Sequence, residues 1–418
     1  MSAPPAWQAD VLRWLRQLDN AVLLKTADPI GTLLSGGDLD ILVGDPAAAE
    51  ASLLREVGPP LFRARYGRFY EWGHIDLIPR IEWRGAAVLQ TEATIAAGRT
   101  TADGLRVADA ASNALLFWLR PPIWGRIYKP GCEPLIELVL AENAPAFRQL
   151  LAQTFGATEG QRLFELAEQK KYADAAQDVG ALRKALWMRA VLRRPLGTIG
   201  GLIHHIAMEL GLRFRPPLPW VAVLGPDGSG KSTVLEAVSA LLEPTIPRRK
   251  IFHWRPAVLK PGNPEAGPVT DPHGKAPRSV PVSLLKLGFL LADWWLGYWK
   301  RIVPLSARLT FCLFDRCFFD LLVDPRRYRY GGPMNLARWF AGLMPQPRLV
   351  ILLDAPAEVL QARKREVTLE ETQRQVVSYR ELVRTLPGGS VVNCARPVPV
   401  VAQEVRDLIL RALREKTT

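Results

Sequence analysis

One nine-residue segment of this 418-residue chain restricts its fold more than any other: Gly225-Pro226-Asp227-Gly228-Ser229-Gly230-Lys231-Ser232-Thr233. It matches the phosphate-loop pattern G-x-x-x-x-G-K-[ST] throughout. The apolar run Val221–Leu224 precedes it, and Lys231–Leu242 follows with a helical pattern. A strand that turns through glycines into a helix aims several backbone N–H groups, and the positive end of the helix dipole, at one point. Glycine lets that backbone approach an anion with no side chain in the way. Lys231 is expected to reach the terminal phosphates of a nucleotide, and Ser232 to ligate Mg²⁺. An ordinary glycine-rich turn would need neither the strand before nor the helix after.

The surrounding residues repeat the strand–helix alternation. Leu309–Phe314 and Arg348–Leu353 read as buried strands, and helical patterns fill the intervals. That order predicts an α/β domain with a parallel sheet and helices on both faces. Pro216-Pro217-Leu218-Pro219 stops a helix and marks where the domain begins. Pro247–Pro281 is rich in proline and glycine and reads as an active-site loop or mobile insertion. Val282–Tyr298 is apolar but holds Lys286 and Asp293. At 17 residues it falls short of the roughly 20 that span a membrane. It reads as a buried helix of a soluble domain, with peripheral contact through Trp294, Trp295 and Trp299 as the alternative.

Two further motifs give this region a family likeness. Phe314-Asp315-Arg316 ends one apolar strand, and Leu349-Val350-Ile351-Leu352-Leu353-Asp354-Ala355-Pro356 ends another, leading into the helical and basic stretch Glu358–Arg365. With the glycine loop, these motifs resemble the thymidylate kinase family of P-loop kinases over about Trp220–Leu410. The resemblance implies ATP and Mg²⁺ as cofactors and transfer of the γ-phosphoryl group to a small acceptor. It places Gly225, Asp227, Gly228, Ser229, Gly230, Lys231, Ser232 and Thr233 around the nucleotide, with Asp227 touching a sugar hydroxyl of the acceptor. Asp315 would sit near Mg²⁺ or orient the acceptor, and Arg316 would bind the acceptor's phosphate. Arg363 and Arg365 would be the lid arginines, with Lys364 between them. Stabilising the charge of phosphoryl transfer while excluding water calls for such cations. A solvated helix end is the bland reading of that basic cluster, and a structural ion pair that of Asp315-Arg316.

The sequence departs from that family where the acceptor should bind. Its Glu-Pro-Gly-Gly stretch is replaced by His253-Trp254-Arg255 and by the insertion with Asp271-Pro272-His273-Gly274-Lys275. Asp320 and Asp324-Pro325-Arg326-Arg327-Tyr328-Arg329-Tyr330 follow the Asp315-Arg316 pair. Arginine forks interleaved with tyrosines suit a phosphorylated or sugar-like acceptor, and equally a surface turn with aromatic packing. Asp293 either reaches the same pocket or is a satisfied core acid.

The N-terminal region carries a second constellation. Gln8–Leu18 has an amphipathic helical pattern. Leu39, Ile41 and Val43 alternate with Asp38, Asp40 and Leu42, and His74–Ile78 reads as a strand paired with Arg68–Trp72. Residues i and i+2 of a strand share a face, so Asp38 and Asp40 can hold a metal together, with Asp76 as a third carboxylate. Ser35-Gly36-Gly37-Asp38-Leu39-Asp40 resembles the Asp-x-Asp strand of the nucleotidyltransferase superfamily, over about Asn20–Pro79. That family's Gly-Ser pair, about ten residues upstream, is absent, so an inactive or binding-only domain stands beside the catalytic reading.

These patterns divide the chain into three: 1–95, a small nucleotidyltransferase-like α/β domain; 96–215, a helical region and basic linker; and 216–418, the kinase-like domain. Hydrophobic residues make up 48% and charged residues 23%, a soluble globular composition. The net charge of +13 favours anionic partners. Nucleic acid is a poor candidate, because no recognition fold is visible and Arg248-Arg249-Lys250 is the main basic tract. Cys132, Cys312, Cys317 and Cys394 form no CxxC pair or metal spacing, and read as reduced core residues. Met1–Trp7 lacks a secretory pattern, so a cytoplasmic location is expected. The expected partner is a small acceptor, either a nucleoside monophosphate or a sugar or glycan. A homodimer is compatible with the sequence. The second function class carried forward is a bifunctional or glycan-modifying enzyme, and the third a non-catalytic binding module.

Overall fold

The computed structural model describes residues 5–25, 28–125, 127–259, 276–365 and 367–414. The chain divides into two compact units, Met1–Leu210 and Gly211–Thr418.

The first unit opens with helix α1 (Ala6–Gln17), strand β1 (Ala21–Leu23), α2 (Pro29–Leu34), β2 (Asp38–Val43) and α3 (Pro46–Glu56). Next come β3 (Phe62–Ala64), β4 (Gly67–Tyr70), β5 (Gly73–Ile78), the hairpin β6 (Glu82–Trp83) and β7 (Ala86–Ala87), α4 (Thr91–Ala96), β8 (Arg99–Thr100) and β9 (Arg106–Val107). All but the hairpin join one mixed sheet in the order β3-β4-β5-β2-β1-β9-β8. Strand alternation gives that sheet two apolar faces. Leu39, Ile41, Ile75 and Leu77 pack with Val11 and Trp14 of α1 and Leu53 of α3. On the other face Val22, Leu42 and Ile78 join the core of α5 (Ala110–Gly125), α6 (Glu133–Phe155), α7 (Ala157–Glu168) and α8 (Val179–Arg193). The helical stretch read from the sequence thus shares its core with the sheet. The supposed basic linker is a 20-residue helix, α9 (Pro195–Phe214), with Leu196, Ile203 and Phe214 exposed along it.

The second unit contains β10 (Trp220–Leu224), α10 (Lys231–Leu241), β11 (Arg248–His253), α11 (Val280–Gly297), α12 (Val303–Ala307), β12 (Thr310–Asp315), α13 (Asp320–Val323) and α14 (Met334–Leu343). It ends with β13 (Leu349–Asp354), α15 (Ala357–Arg363), α16 (Leu369–Thr385), β14 (Gly389–Asn393) and α17 (Val398–Arg414). The five strands run in the order β11-β12-β10-β13-β14, and every pair is parallel. Trp220, Ala222, Leu224 and Phe314 pack with Leu290 and Trp294 of α11 and Tyr379 of α16. Helices α10 and α17 pack together and against the strands. This is the expected parallel α/β architecture. The four cysteines are buried and unbridged.

Two expectations change here. Pro247–Pro281 is not a loop from end to end, because Arg248–His253 forms the edge strand β11 and Val280 opens α11. The middle of that stretch, with Asp271, His273 and Lys275, lies outside the described residues. Helix α11 is not buried all round. Asp293 and Trp294 are fully buried, whereas Leu285, Phe289, Trp295 and Trp299 near its end are exposed. Val280–Ala307 is, among the described residues, the one stretch long and apolar enough to cross a membrane by length and composition.

Candidate functional site

The glycine loop lies where β10, the middle strand of the parallel sheet, ends, a usual place for ligands in such sheets. Gly225 and Gly228 take φ values of 151° and 83°, which favour glycine. A Cβ on Gly228 would come within 2.4 Å of the Leu360 carbonyl oxygen of α15, so the loop nests against that helix. Gly230, left-handed with φ of 78°, caps α10, whose first residue is Lys231.

Lys231 is buried, and its Nζ donates to the carbonyl oxygens of Gly225 (2.9 Å) and Pro226 (2.8 Å) and to Ser229 Oγ (3.3 Å). Among the described residues it therefore meets only dipoles at hydrogen-bond distance, while Asp227, Asp315 and Asp320 favour its charge from farther off. Burial, and then the nearby Arg316, pull its pKa down to about 8. An arriving phosphate would restore the charged form. Next to it, Ser232 Oγ donates to Asp315 Oδ2 at 2.8 Å. The other oxygen, Asp315 Oδ1, is buried with no hydrogen-bond partner. A serine hydroxyl beside a carboxylate with an unmet oxygen is a donor set that suits Mg²⁺. Thr233 is exposed on the first turn of α10.

Asp227 and Arg316, both expected to touch the acceptor, are instead bonded to each other within a larger network. Arg316 donates to Asp227 and, at 2.8 Å, to Asp320 Oδ2. Arg327 donates to Asp227 Oδ2 at 2.5 Å. Asp320 is fully buried and accepts from Tyr328 (2.7 Å) and from Tyr379 of α16. Burial would lower the pKa of Arg316, but Asp320 and its neighbours override that and hold it well above its ordinary value. Burial, and then Asp320, push both tyrosines far up. Backbone strain collects at the same edge of the sheet: Trp254 and Arg316, the residues just past β11 and β12, have φ of 60° and 68°. Trp254 stacks on Tyr328, with ring centroids 4.6 Å apart. His253 Nδ1 lies 3.5 Å from Asp315 Oδ2.

Other expected residues lie elsewhere. Asp293 is a satisfied core acid, bound by Arg255 at 2.7 Å and by the backbone N–H groups of Val258 and Leu259. Arg363 donates to the Cys394 carbonyl at 2.9 Å, beyond the end of β14. Arg365 is exposed past the end of α15, and no ion pair or hydrogen bond ties it to the glycine loop among the described residues. Tyr379 was not visible as a site residue, since an amphipathic helix offers many half-buried tyrosines and only the fold selects this one.

In the first unit β2 and β5 run parallel, pairing Asp38 with His74 and Asp40 with Asp76. The cluster with metal-ligand spacing is Asp38, His74 and Asp76, whose ligand atoms lie within 4.8 Å of one another. Asp40, expected as a ligand, is instead almost fully buried and held by Lys25 and, at 3.0 Å, by Arg120 of α5. Those two cations, unnoticed in the sequence, neutralise it from inside the fold. Burial, and then Asp38, raise the pKa of Asp76 to about 6. Burial also lowers His74, whose Nδ1 has no partner. A set of two carboxylates and an imidazole suits Mn²⁺ or Zn²⁺ as well as Mg²⁺.

Comparison with known proteins adds one distant likeness. No known family's sequence profile matches the chain. A phosphonates import ATP-binding protein, PhnC, of Alcaligenes faecalis is 23% identical over 180 residues. The match spans 41% of this chain and 62% of that relative's length.

Proposed function

We propose that Gly211–Thr418 binds ATP with Mg²⁺ and transfers its γ-phosphoryl group to a small acceptor, in the manner of thymidylate kinase-like P-loop kinases. The observation that carries this reading is the Lys231–Ser232–Asp315 arrangement, a buried lysine with no carboxylate at hydrogen-bond distance among the described residues, beside a hydroxyl–carboxylate pair with an unmet oxygen. The distant likeness to an ATP-binding protein agrees with the nucleotide half of it. Ser232 and Asp315 would hold Mg²⁺, which would supply charge neutralisation at the phosphates. Lys231 would neutralise charge on the β- and γ-phosphates, and the loop N–H groups would fix them in line with the acceptor. Asp227, Arg316 and Arg327 form a polar wall next to the loop, and the Trp254–Tyr328 pair offers an aromatic surface. These features support a polar acceptor with a ring, such as a nucleoside monophosphate or a sugar.

A second reading, a bifunctional enzyme, is favoured by the Asp38–His74–Asp76 cluster, whose ligand spacing would suit a cation in the first unit. The two are separated by incubating the full chain with Mg-ATP and a panel of nucleoside monophosphates, sugars and oligosaccharides while measuring ADP. The first reading requires ADP that depends on an acceptor and disappears in Lys231→Ala. ADP released at one rate whatever the acceptor would sink it and leave a simple ATPase.

A further inference from the structure

We propose that the first unit contains an anion-binding cleft that takes a small molecule bearing a phosphate or diphosphate group. The cleft has a volume of about 930 Å³ and opens where β2 and β5 end, at Gly44 and Pro79. Asp38 stands at the other end of β2, about 20 Å away at roughly 3.3 Å per residue, so this is not the carboxylate cluster. The volume lies within the usual range for small-ligand sites.

Its charge is what points to an anion. Arg80, Arg189, Arg193 and Arg194 line it. Arg80 has a nearby acid, Glu82, at 3.6 Å. Among the described residues no ion pair reaches Arg189, Arg193 or Arg194. Of the other lining acids, Asp109 accepts the Ser112 backbone N–H of α5 at 3.0 Å, and Glu92 stands in the first turn of α4. Arg189 and Arg193 are four residues apart on α8, where like charges repel. Desolvation, and then Arg189, hold Arg193 below the ordinary arginine value. Exposed arginines at a helix C-terminus are commonplace, because the dipole favours them. That explains Arg193 and Arg194 but not Arg189, whose Nε–H is buried and meets no acceptor. Arg189 lines the cleft half-buried, and among the described residues its guanidinium has no carboxylate partner that a ligand oxyanion would have to displace. Gln149 and Gln153 add neutral amides from α6, again four residues apart. Planar guanidinium forks match the oxygens of phosphate.

The test uses the full chain carrying Lys231→Ala, which silences the glycine loop. Inorganic pyrophosphate is titrated in and the heat measured, with citrate as a phosphate-free polyanion. Saturable pyrophosphate binding is expected, at least tenfold tighter than citrate. Arg189→Ala with Arg193→Ala should weaken it tenfold or more. Gln153→Glu, which keeps the arginines but puts a carboxylate in the same wall, should weaken it severalfold without disturbing the fold. No pyrophosphate binding, binding that ignores these substitutions, or equal affinity for citrate would overturn the proposal. ATP binding to the protein with Lys231 intact is read separately, so failure of the kinase reading and failure of this one give different results.

Discussion

Lys231 in the second unit is buried and Lys25 in the first half-buried, and the two differ in company. Burial is the main reason each is drawn down to about 8, and in each a nearby arginine, Arg316 or Arg120, adds to it. Lys231 touches two carbonyl oxygens and a hydroxyl, while Lys25 touches the carboxylate of Asp40. A buried cation whose hydrogen bonds all go to dipoles, with carboxylates acting on it only from farther off, has electrostatic energy still to gain from an anion. A buried cation already on a carboxylate has much less. The contrast separates a site prepared for phosphate from one whose charge is largely balanced inside the fold. It also explains why an Asp-x-Asp strand does not by itself make a three-carboxylate metal site.

The contrast can be broken by substitution. The largest effect is expected at the glycine loop, where Lys231→Ala should lower acceptor-dependent ADP formation by about 10²–10³-fold, the scale of losing a donor to developing charge. Its melting temperature should hold, since burial already disfavours the charge that is removed. Asp40→Asn should do the reverse. It leaves Lys25 and Arg120 facing each other and costs about 3 kcal/mol of stability in a melting experiment, with ATP affinity within about twofold of the parent.

A pH series sharpens the same point. The unliganded Lys231 titrates at about 8, and bound phosphate favours its charged form. ATP affinity should therefore be level below pH 8 and fall above it, by up to about tenfold per pH unit. Proton uptake on binding, measured calorimetrically in two buffers, should grow through the same window. The smallest effect is expected from Lys25→Met. Removing one of the two cations on Asp40 should favour Mn²⁺ at Asp38, His74 and Asp76 and increase its stabilisation of the fold by about 1 kcal/mol, or roughly 2–4 °C in melting temperature.

The three strands β10, β12 and β13 and the glycine loop were legible in the sequence because central parallel strands are continuous apolar runs. The edge strands β11 and β14 were not. Arg248–His253 opens with three basic residues in a row, and Gly389–Asn393 is half exposed, as edges commonly are. Lys231, Ser232 and Asp315 could be named from local motifs. The Arg327–Asp227 and Tyr379–Asp320 contacts could not, because each joins residues more than 50 positions apart. Lys25, 15 positions from Asp40, and Arg120, 80 positions away, also escaped notice. Nothing local distinguishes a lysine after a short strand, or an arginine on an apolar helix, from a solvated one.

Calorimetric titration of Mg-ATP into the full chain, alongside Lys231→Ala and Lys25→Met, tests the central claim most directly. Saturable binding to the parent and to Lys25→Met, lost in Lys231→Ala, is the expected result. Equal binding by all three proteins, or no affinity in the parent, would contradict the assignment of the glycine loop as the nucleotide site.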